Sequence, residues 1–575
     1  MSPTHFSRPL AVILSLAVVG WGCGSGERDS IPVAEVPPAE DSVAGSSGDA
    51  PQLLTEVGAA WGIDFEHDPG ASGELSFPEM MGGGVALFDV EGDGDLDVYL
   101  VTAGPGGNRL FVQRAPGRFA DASDRAGVAD RGYGTGVAVG DVDNDGDEDL
   151  FVANIGQDRL LLNRGDGTFD DVTEAAGLTA PGTAVEEWSS SAAFCDVDRD
   201  GDLDLYVVRY VLFDASIQCT DQAGRREYCG PDSFEDRTDR LWRNRGDGVF
   251  EDATAAAGID VATGAGLGVV CEDLDEDGWV DIYVANDGDP NQLWINQRDG
   301  TFVDDGLIMG TSVNAAGLHE AGMGVVAADF DNDADADLFV THLRDETNTF
   351  YRNLGAGAGF EDETVRAGLA AASTPYTGFG TVPVDLDLDG DLDLAIVNGR
   401  VKRGAETRSP LPAPWNLYAE PNLVYRNTGA AFVALEDATR AFTAPLEIGR
   451  GLAMGDLDGD GALDLVLNNL AGRARVYRGR PGDGHWLVVD AVDPRLGRRA
   501  LGARLVLEGA AGRQLRTIQG AMSYLSSSDP RAHFGLASDA GPVSLWVHWP
   551  DGYEEAFTGV AVDQRVVLRR GEGTP

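Results

Sequence analysis

Asp141-Val-Asp-Asn-Asp-Gly-Asp-Glu-Asp149 crowds carboxylates onto alternate positions of nine residues. Side chains packed this closely repel one another unless a hard cation sits between them, and calcium takes six to eight oxygen ligands of this kind. The stretch is not alone. Six more copies begin at Asp89, Asp196, Asp273, Asp329, Asp385 and Asp456. Repetition in register turns a chance acidic run into a building unit.

The flanks decide which calcium loop this is. A helix–loop–helix site closes with a bidentate Glu at position 12. Here position 12 is Leu100, Val152, Val207, Val284, Val340, Ile396 and Leu467, all aliphatic. Short β-branched and aromatic runs stand on both sides, such as Gly-Val-Ala-Leu-Phe before Asp89 and Val98-Tyr-Leu-Val after Asp97. Such runs suit buried strands, so each loop is expected to join two antiparallel strands. Positions 1, 3, 5 and 9 are expected to ligate through carboxylates and position 7 through its carbonyl.

The first loop offers Asp89, Glu91, Asp93, Asp95 and Asp97, and the second Asp141, Asp143, Asp145, Asp147 and Asp149. The third offers Asp196, Asp198, Asp200, Asp202 and Asp204, and the fourth Asp273, Asp275, Asp277, Trp279 and Asp281. The fifth has Asp329, Asp331, Asp333, Asp335 and Asp337, and the sixth Asp385, Asp387, Asp389, Asp391 and Asp393. The seventh has Asp456, Asp458, Asp460, Ala462 and Asp464. Up to seven Ca2+ are expected. Ala334 replaces the Gly at position 6 of the fifth loop, where a sharp turn favours glycine, so the fifth site is expected to be the weakest.

Successive motifs start 52, 55, 77, 56, 56 and 71 residues apart. A period near 55 with two insertions suits a four-stranded propeller blade. Other elements recur in phase, among them Arg159-Leu-Leu-Leu-Asn, Arg240-Leu-Trp-Arg-Asn and Leu423-Val-Tyr-Arg-Asn. The last repeat has no fourth strand after Arg478, and the stray element Thr55 to Ile63 is expected to supply it and close the ring. The fold expected is all-β: a seven-bladed β-propeller over 53–480, followed by a small β-sandwich domain over 481–575.

These loops and their spacing resemble the FG-GAP/VCBS repeats, whose propeller heads integrin α subunits. In the C-terminal hundred residues, His485-Trp, Leu501-Gly-Ala, Gln519-Gly with Ser523-Tyr, His533-Phe-Gly-Leu and Val547-His-Trp-Pro-Asp-Gly resemble the ASPIC/UnbV domain. Their alternating apolar and polar residues read as short strands with one buried face. A propeller followed by that domain is the arrangement of cartilage acidic protein 1-like proteins. The resemblance implies architecture more than mechanism, because propellers host many unrelated functions.

The net charge of −54 coexists with 43% apolar residues, so the chain is globular, and positions 1, 3, 5 and 9 of the loops alone supply 28 carboxylates, four in each of seven. Such acidity argues against nucleic-acid partners. One lysine, Lys402, stands against 41 arginines, which excludes most lysine-dependent mechanisms. Residues 1–22 read as a lipoprotein-type signal peptide, with Cys23 as the acylated residue and 23–52 as a flexible acidic linker. Gly20 departs from the usual aliphatic, so plain secretion is the other reading. The address expected is the outer membrane or cell surface, with the membrane touched only through the lipid anchor. Cys219 and Cys229 are expected to form a disulfide inside the insertion after the third loop. Cys195 and Cys271, on opposite faces of their sheets, are expected to be buried free thiols.

Arg164-Gly-Asp166 and Arg245-Gly-Asp247 spell an integrin-recognition tripeptide, but both occupy the same turn of their repeats and read as geometry. Nucleophile elbows, His-Glu-x-x-His and phosphate loops do not occur, and no residue is assigned a catalytic role. Trp188, Trp415 and Tyr418 stand out as aromatics able to stack on sugars if exposed. The function expected is a calcium-binding, envelope-anchored adhesion or binding module that recognises a glycan or protein ligand. Its face would be built from the insertions at 211–240, 306–322 and 400–421. The alternatives are a polysaccharide-active enzyme with an acidic pair in the propeller channel, or a structural scaffold of an envelope complex.

Overall fold

Seven four-stranded antiparallel sheets stand around one axis, each laid down from the axis outward. The computed structural model describes residues 52–179, 187–509 and 512–575; the signal peptide, Cys23 and nearly all of the linker lie outside the described residues. In blade 1 the strands are Val85–Phe88, Asp97–Leu100, Arg109–Ala115 and Arg118–Asp121, in the register Phe88↔Asp97, Val98↔Phe111 and Phe111↔Asp121. Every acidic nonapeptide is the hairpin between the first and second strands of its blade.

Both faces of each blade are buried, and this is why the strands read as nearly continuous apolar runs. Side chains alternate between two neighbours. Ala86, Phe88 and Tyr99 pack with Val137, Leu150 and Val152 of blade 2, whereas Val85, Leu87 and Val98 pack with Ala453, Val466 and Val476 of blade 7.

The same alternation corrects the expectation of free thiols. Cys195 faces forward from blade 3 and Cys271 faces backward from blade 4, and the two are disulfide-bonded with Cα atoms 6.5 Å apart. Opposite orientations within two sheets are the condition for meeting when the sheets stack. The Cys219–Cys229 disulfide is also present, with S–S 2.07 Å.

The ring is closed by the chain's first described strand. Leu54–Glu56 pairs with Arg475–Gly479 as the outer strand of blade 7, in the register Leu54↔Gly479 and Glu56↔Tyr477.

Residues 485–575 form the expected sandwich. One sheet holds Trp486–Asp493, Arg498–Arg499, Ala532–Gly535 and Gln564–Arg569, and the other Arg504–Gly509, Gly512–Thr517, Val543–His548 and Glu554–Val560. Leu487, Leu505, Phe534, Leu545 and Trp549 lie in its core.

One segment of this domain leaves it. Residues 521–528 run into the axis of the propeller, where Ser527 pairs in parallel with Ala86 of blade 1. Backbone N–H groups of Val85, Val137, Val325, Thr381 and Met454 donate to Ser526 Oγ, the Leu525 carbonyl, the Ser523 carbonyl, Ser523 Oγ and Ser528 Oγ. Ser191 Oγ accepts from the Leu525 N–H, and Ala521 packs on the cluster shared by blades 3 and 4. The innermost strands make room with glycine. A Cβ on Gly84 would lie 1.8 Å from the Leu525 carbonyl oxygen. Gly136, Gly268, Gly324, Gly380 and Gly451 occupy the same position, five residues before their loops, where a Cβ would meet the backbone of the next blade, and blade 3 has Ser191 there.

Candidate metal centres

Each loop is bent by two residues in the left-handed region. Position 6 has φ 91° to 100° at Gly94, Gly146, Gly201 and Gly390, and 75° at Ala334. Position 4 is left-handed as well, at Gly92, Asn144, Arg199, Glu276, Asn332, Leu388 and Gly459. An L-residue held there is strained by roughly 1 kcal/mol relative to glycine. Ala334→Gly is therefore expected to stabilise the protein by about 1 kcal/mol and to tighten cation binding at the fifth loop. Thermal melts with and without calcium check both; an unchanged melting temperature counts against the argument.

The bends turn oxygen inward. Oxygens of Asp141, Asp143 and Asp149 lie within 4.8 Å of one another, and so do those of Asp196, Asp198 and Asp204, and of Asp273, Asp275 and Asp281. In the fifth and sixth loops the same holds for Asp329, Asp331 and Asp333, and for Asp385, Asp387 and Asp389. Oδ1 of Asp143, Asp196, Asp198, Asp273, Asp387 and Asp458 is buried and accepts no hydrogen bond. Burial pushes the Asp149 and Asp204 carboxyls up to about 8 and Asp393 up to about 9. Orphaned, crowded carboxylate oxygen is a donor set that fits a hard divalent cation.

The loops are organised by their own backbone. In loop 2 the N–H groups of Asp145 and Gly146 donate to the two oxygens of Asp141, and the N–H of Asp147 donates to Asp145 Oδ1. Position 9 does more than face the cluster. Asp149 accepts from the N–H of Val142 (2.9 Å) and from the N–H of Asn163 (2.8 Å) on the third strand. The same double acceptance occurs at Asp97, Asp204, Asp281, Asp337, Asp393 and Asp464.

A second set of residues latches neighbouring blades. Asn163 Nδ2 donates to the Val90 carbonyl in the preceding loop (2.9 Å), Asn244 to Val142 (2.7 Å) and Asn296 to Val197 (2.8 Å). Asn353 reaches Leu274 (3.1 Å) and Asn427 reaches Phe330 (2.7 Å). Loops also touch through position 4 and the next loop's position 7. Asn144 donates to Asp202 and Asn332 to Asp391, both at 2.7 Å, while the Arg199 guanidinium lies 4.3 Å above the Trp279 ring. Trp279 thus keeps an inter-loop contact that its non-carboxylate side chain had obscured.

The C-terminal domain sits on this loop face. Arg498 spans loops 2 and 3, donating to Asn144 Oδ1 and the Gly201 carbonyl at 2.7 Å each. Arg499 pairs with Glu148, and Arg504 with Asp273 at 2.8 Å. The N–H of Leu515 donates to Asp329 Oδ2, Arg516 to the Gly390 carbonyl, and both Arg531 and Arg565 to the Gly94 carbonyl. His533 Nε2 lies 2.9 Å from the Gly461 carbonyl. Cations of one domain therefore offset the acidity of the other.

The insertions lie at the opposite end of the strands. Trp415 and Tyr418, expected as stacking platforms, are buried, and so is Trp188. The exposure they need is absent. Tyr228 stacks on Trp415 at 6.5 Å, the Tyr418 hydroxyl donates to Glu227 Oε1, and Trp188 packs edge-on against Phe77 and Tyr210. The aromatics fasten the 211–240 and 400–421 insertions to one another. Exposed positions on this face include Leu318, His319, Lys402 and Arg408. In the two Arg-Gly-Asp turns, Arg164 pairs with Asp170 and Arg245 with Glu251 on the following strand.

Comparison with known proteins agrees with this architecture. The FG-GAP-like repeat family matches residues 89–152, 141–207, 224–284, 273–340 and 329–396, and the family described as ASPIC and UnbV matches 494–575. Cartilage acidic protein 1 of Xenopus tropicalis is 31% identical over 317 residues, covering 54% of this chain and 45% of the relative. The Homo sapiens protein of that name is 29% identical over 354 residues, covering 59% of this chain and 50% of the relative. The chain spans about half the length of the curated relatives it matches. Among solved structures, the BP39L lectin from Burkholderia pseudomallei aligns with a TM-score of 0.42 at 11% identity, covering 70% of this chain and 97% of that one. YCF48 from Cyanidioschyzon merolae aligns at 0.40 and 8% identity, covering 70% and 96%. Loops, ring and C-terminal sandwich together place the chain in the FG-GAP-like repeat family, with an ASPIC and UnbV domain at its C-terminus.

Proposed function

We propose that the protein is an extracytoplasmic binding module, held together by calcium in its seven loops and recognising a glycan or protein ligand on its insertion face. Positions 1, 3, 5 and 9 of each loop would hold the ion, which when bound supplies the positive charge those carboxylates lack. It carries out no catalysis of its own. Acylation at Cys23 would tie it to the envelope. Two disulfides suit an oxidising compartment, and no helix among the described residues is long and apolar enough to cross a membrane.

One observation carries the choice of face. The loop face is covered by the C-terminal domain and the axis is filled by residues 521–528, so the elaborated surface left to a partner is the one built by the insertions. A channel-borne acidic pair would need space that Ser523 to Ser528 take up.

The test is a glycan array and a pull-down from envelope extracts, both with residues 24–575 in millimolar calcium and again in EDTA. Leu318→Asp with Lys402→Glu and Arg408→Glu is expected to abolish a calcium-dependent hit while leaving the melting curve intact. Retention of the ligand by that variant, with loss on altering the outer rim, would overturn the assignment of the face.

A further inference from the structure

We infer that blade 7 is the seam of the ring, and that the docked C-terminal domain, rather than the neighbouring blades, holds its loop end shut.

Five of the seven blade interfaces carry the asparagine latch described above, and the two that flank blade 7 do not. Between blades 6 and 7 the latch position is Gly479. A side chain has no room there, since a Cβ would lie 2.3 Å from the Leu463 carbonyl oxygen. Between blades 7 and 1 the position is Gln113, which donates to Leu96 of its own loop and accepts from the N–H of Gly117. Blade 7 is also the one blade assembled from two distant parts of the chain.

Contacts from the C-terminal domain stand where the latches are missing. Trp486 lies against Gly461 so closely that a Cβ on that glycine would fall 2.0 Å from its Cε2. His533 Nε2 bonds the Gly461 carbonyl, the N–H of Asp529 donates to the Met454 carbonyl (3.0 Å), and the N–H of Met454 donates to Ser528 Oγ (3.2 Å). At the other end, blade 7 is tied directly to its neighbours. Asn468 Nδ2 donates to the Gly84 and Val101 carbonyls of blade 1, and Arg450, fully buried, donates to Met80 and Gly399. That end is the hinge and the loop end is the part free to part. In a ring of seven, the interface between blades 3 and 4 lies directly across from blade 7, and the Cys195–Cys271 disulfide staples that interface. The ring is thus strongest opposite its weakest joint.

Hydrogen exchange read by mass spectrometry on residues 24–575 in millimolar calcium tests the inference. In the Trp486→Ala, His533→Ala double variant, amides of 451–457, 464–467 and 54–57 are expected to exchange at least about tenfold faster, with 189–195 and 266–272 unchanged. Adding Gln113→Asn, which supplies a latch toward the Leu457 carbonyl, is expected to restore part of the protection. Acceleration spread evenly over all blades, or none at blade 7, overturns the inference. If the double variant does not fold, Gln113→Asn alone must slow exchange at 451–457 and nowhere else; no slowing there overturns it too.

Discussion

Stripped of divalent cations by EDTA at pH 8, the protein is expected to melt about 20 °C or more below its midpoint in millimolar calcium. A site that binds only the folded state adds about 4 kcal/mol at a thousandfold excess over its dissociation constant, and seven such sites act together. The pH dependence supplies a sharper check. Burial raises the ion-free carboxyls of Asp97, Asp149 and Asp204 to between about 7 and about 8, against an ordinary value of 3.8. Between those limits the ion-free fold binds more protons than the unfolded chain, so its stability falls as pH rises from about 4 to about 8. With calcium bound the carboxylates are ionised in the fold, as they already are in the unfolded chain above about pH 5, so stability is nearly constant from there to pH 8. Melting in EDTA is thus expected at a higher temperature at pH 5.5 than at pH 8, with little difference between the two in saturating calcium. Melts that ignore both EDTA and pH would remove calcium from the account.

The second large effect separates two carboxylates of one loop. Asp149→Asn is expected to cost about 3 kcal/mol with or without calcium, because two backbone N–H groups converge on its oxygens and the amide turns one acceptor into a donor. Asp143→Asn is expected to weaken calcium binding and to leave the melt in EDTA unchanged or slightly higher. Asp143 Oδ1 accepts nothing, and its carboxyl is held up by burial and by Asp145. Calorimetric titration beside thermal melts reads both quantities. Equal losses from the two variants in EDTA would show that position 9 is only one more ligand.

The contrast explains what could be read in advance. The carboxylate clusters were legible because seven copies hold acidic residues in the same places, and the ring was legible from their spacing. The latch also left a mark, since five third strands end in Asn, but nothing in a strand pattern says that an amide will cross to the neighbouring blade. Gly84 stood in the run quoted before Asp89, where it read as an ordinary strand residue. Its purpose depends on a segment more than 400 residues away, at Leu525 (525 − 84). The stacking role given to Trp415 and Tyr418 failed for a related reason. A Pro-rich insertion rich in aromatics looks exposed in sequence, whereas the 211–240 and 400–421 insertions and the segment around Met80 bury one another's side chains.

The placement of Leu54–Glu56 in the last blade sets the order of events during biogenesis. A chain delivered from its N-terminus presents this strand first, yet its partner Arg475–Gly479 appears some 425 residues later (479 − 54). Bringing those ends together costs about 5 kcal/mol of loop entropy, which only a nearly complete ring offsets. Until then the blades stand as an open arc with an uncovered apolar face at each end and an unpaired edge at Arg475–Gly479, the form in which sheets find wrong partners. Residues 521–528 arrive later still and can enter the axis only once there is an axis to enter. Folding is therefore bound to finish rather than to begin with the N-terminus, and nascent chains halted short of residue 480 are the ones expected to aggregate.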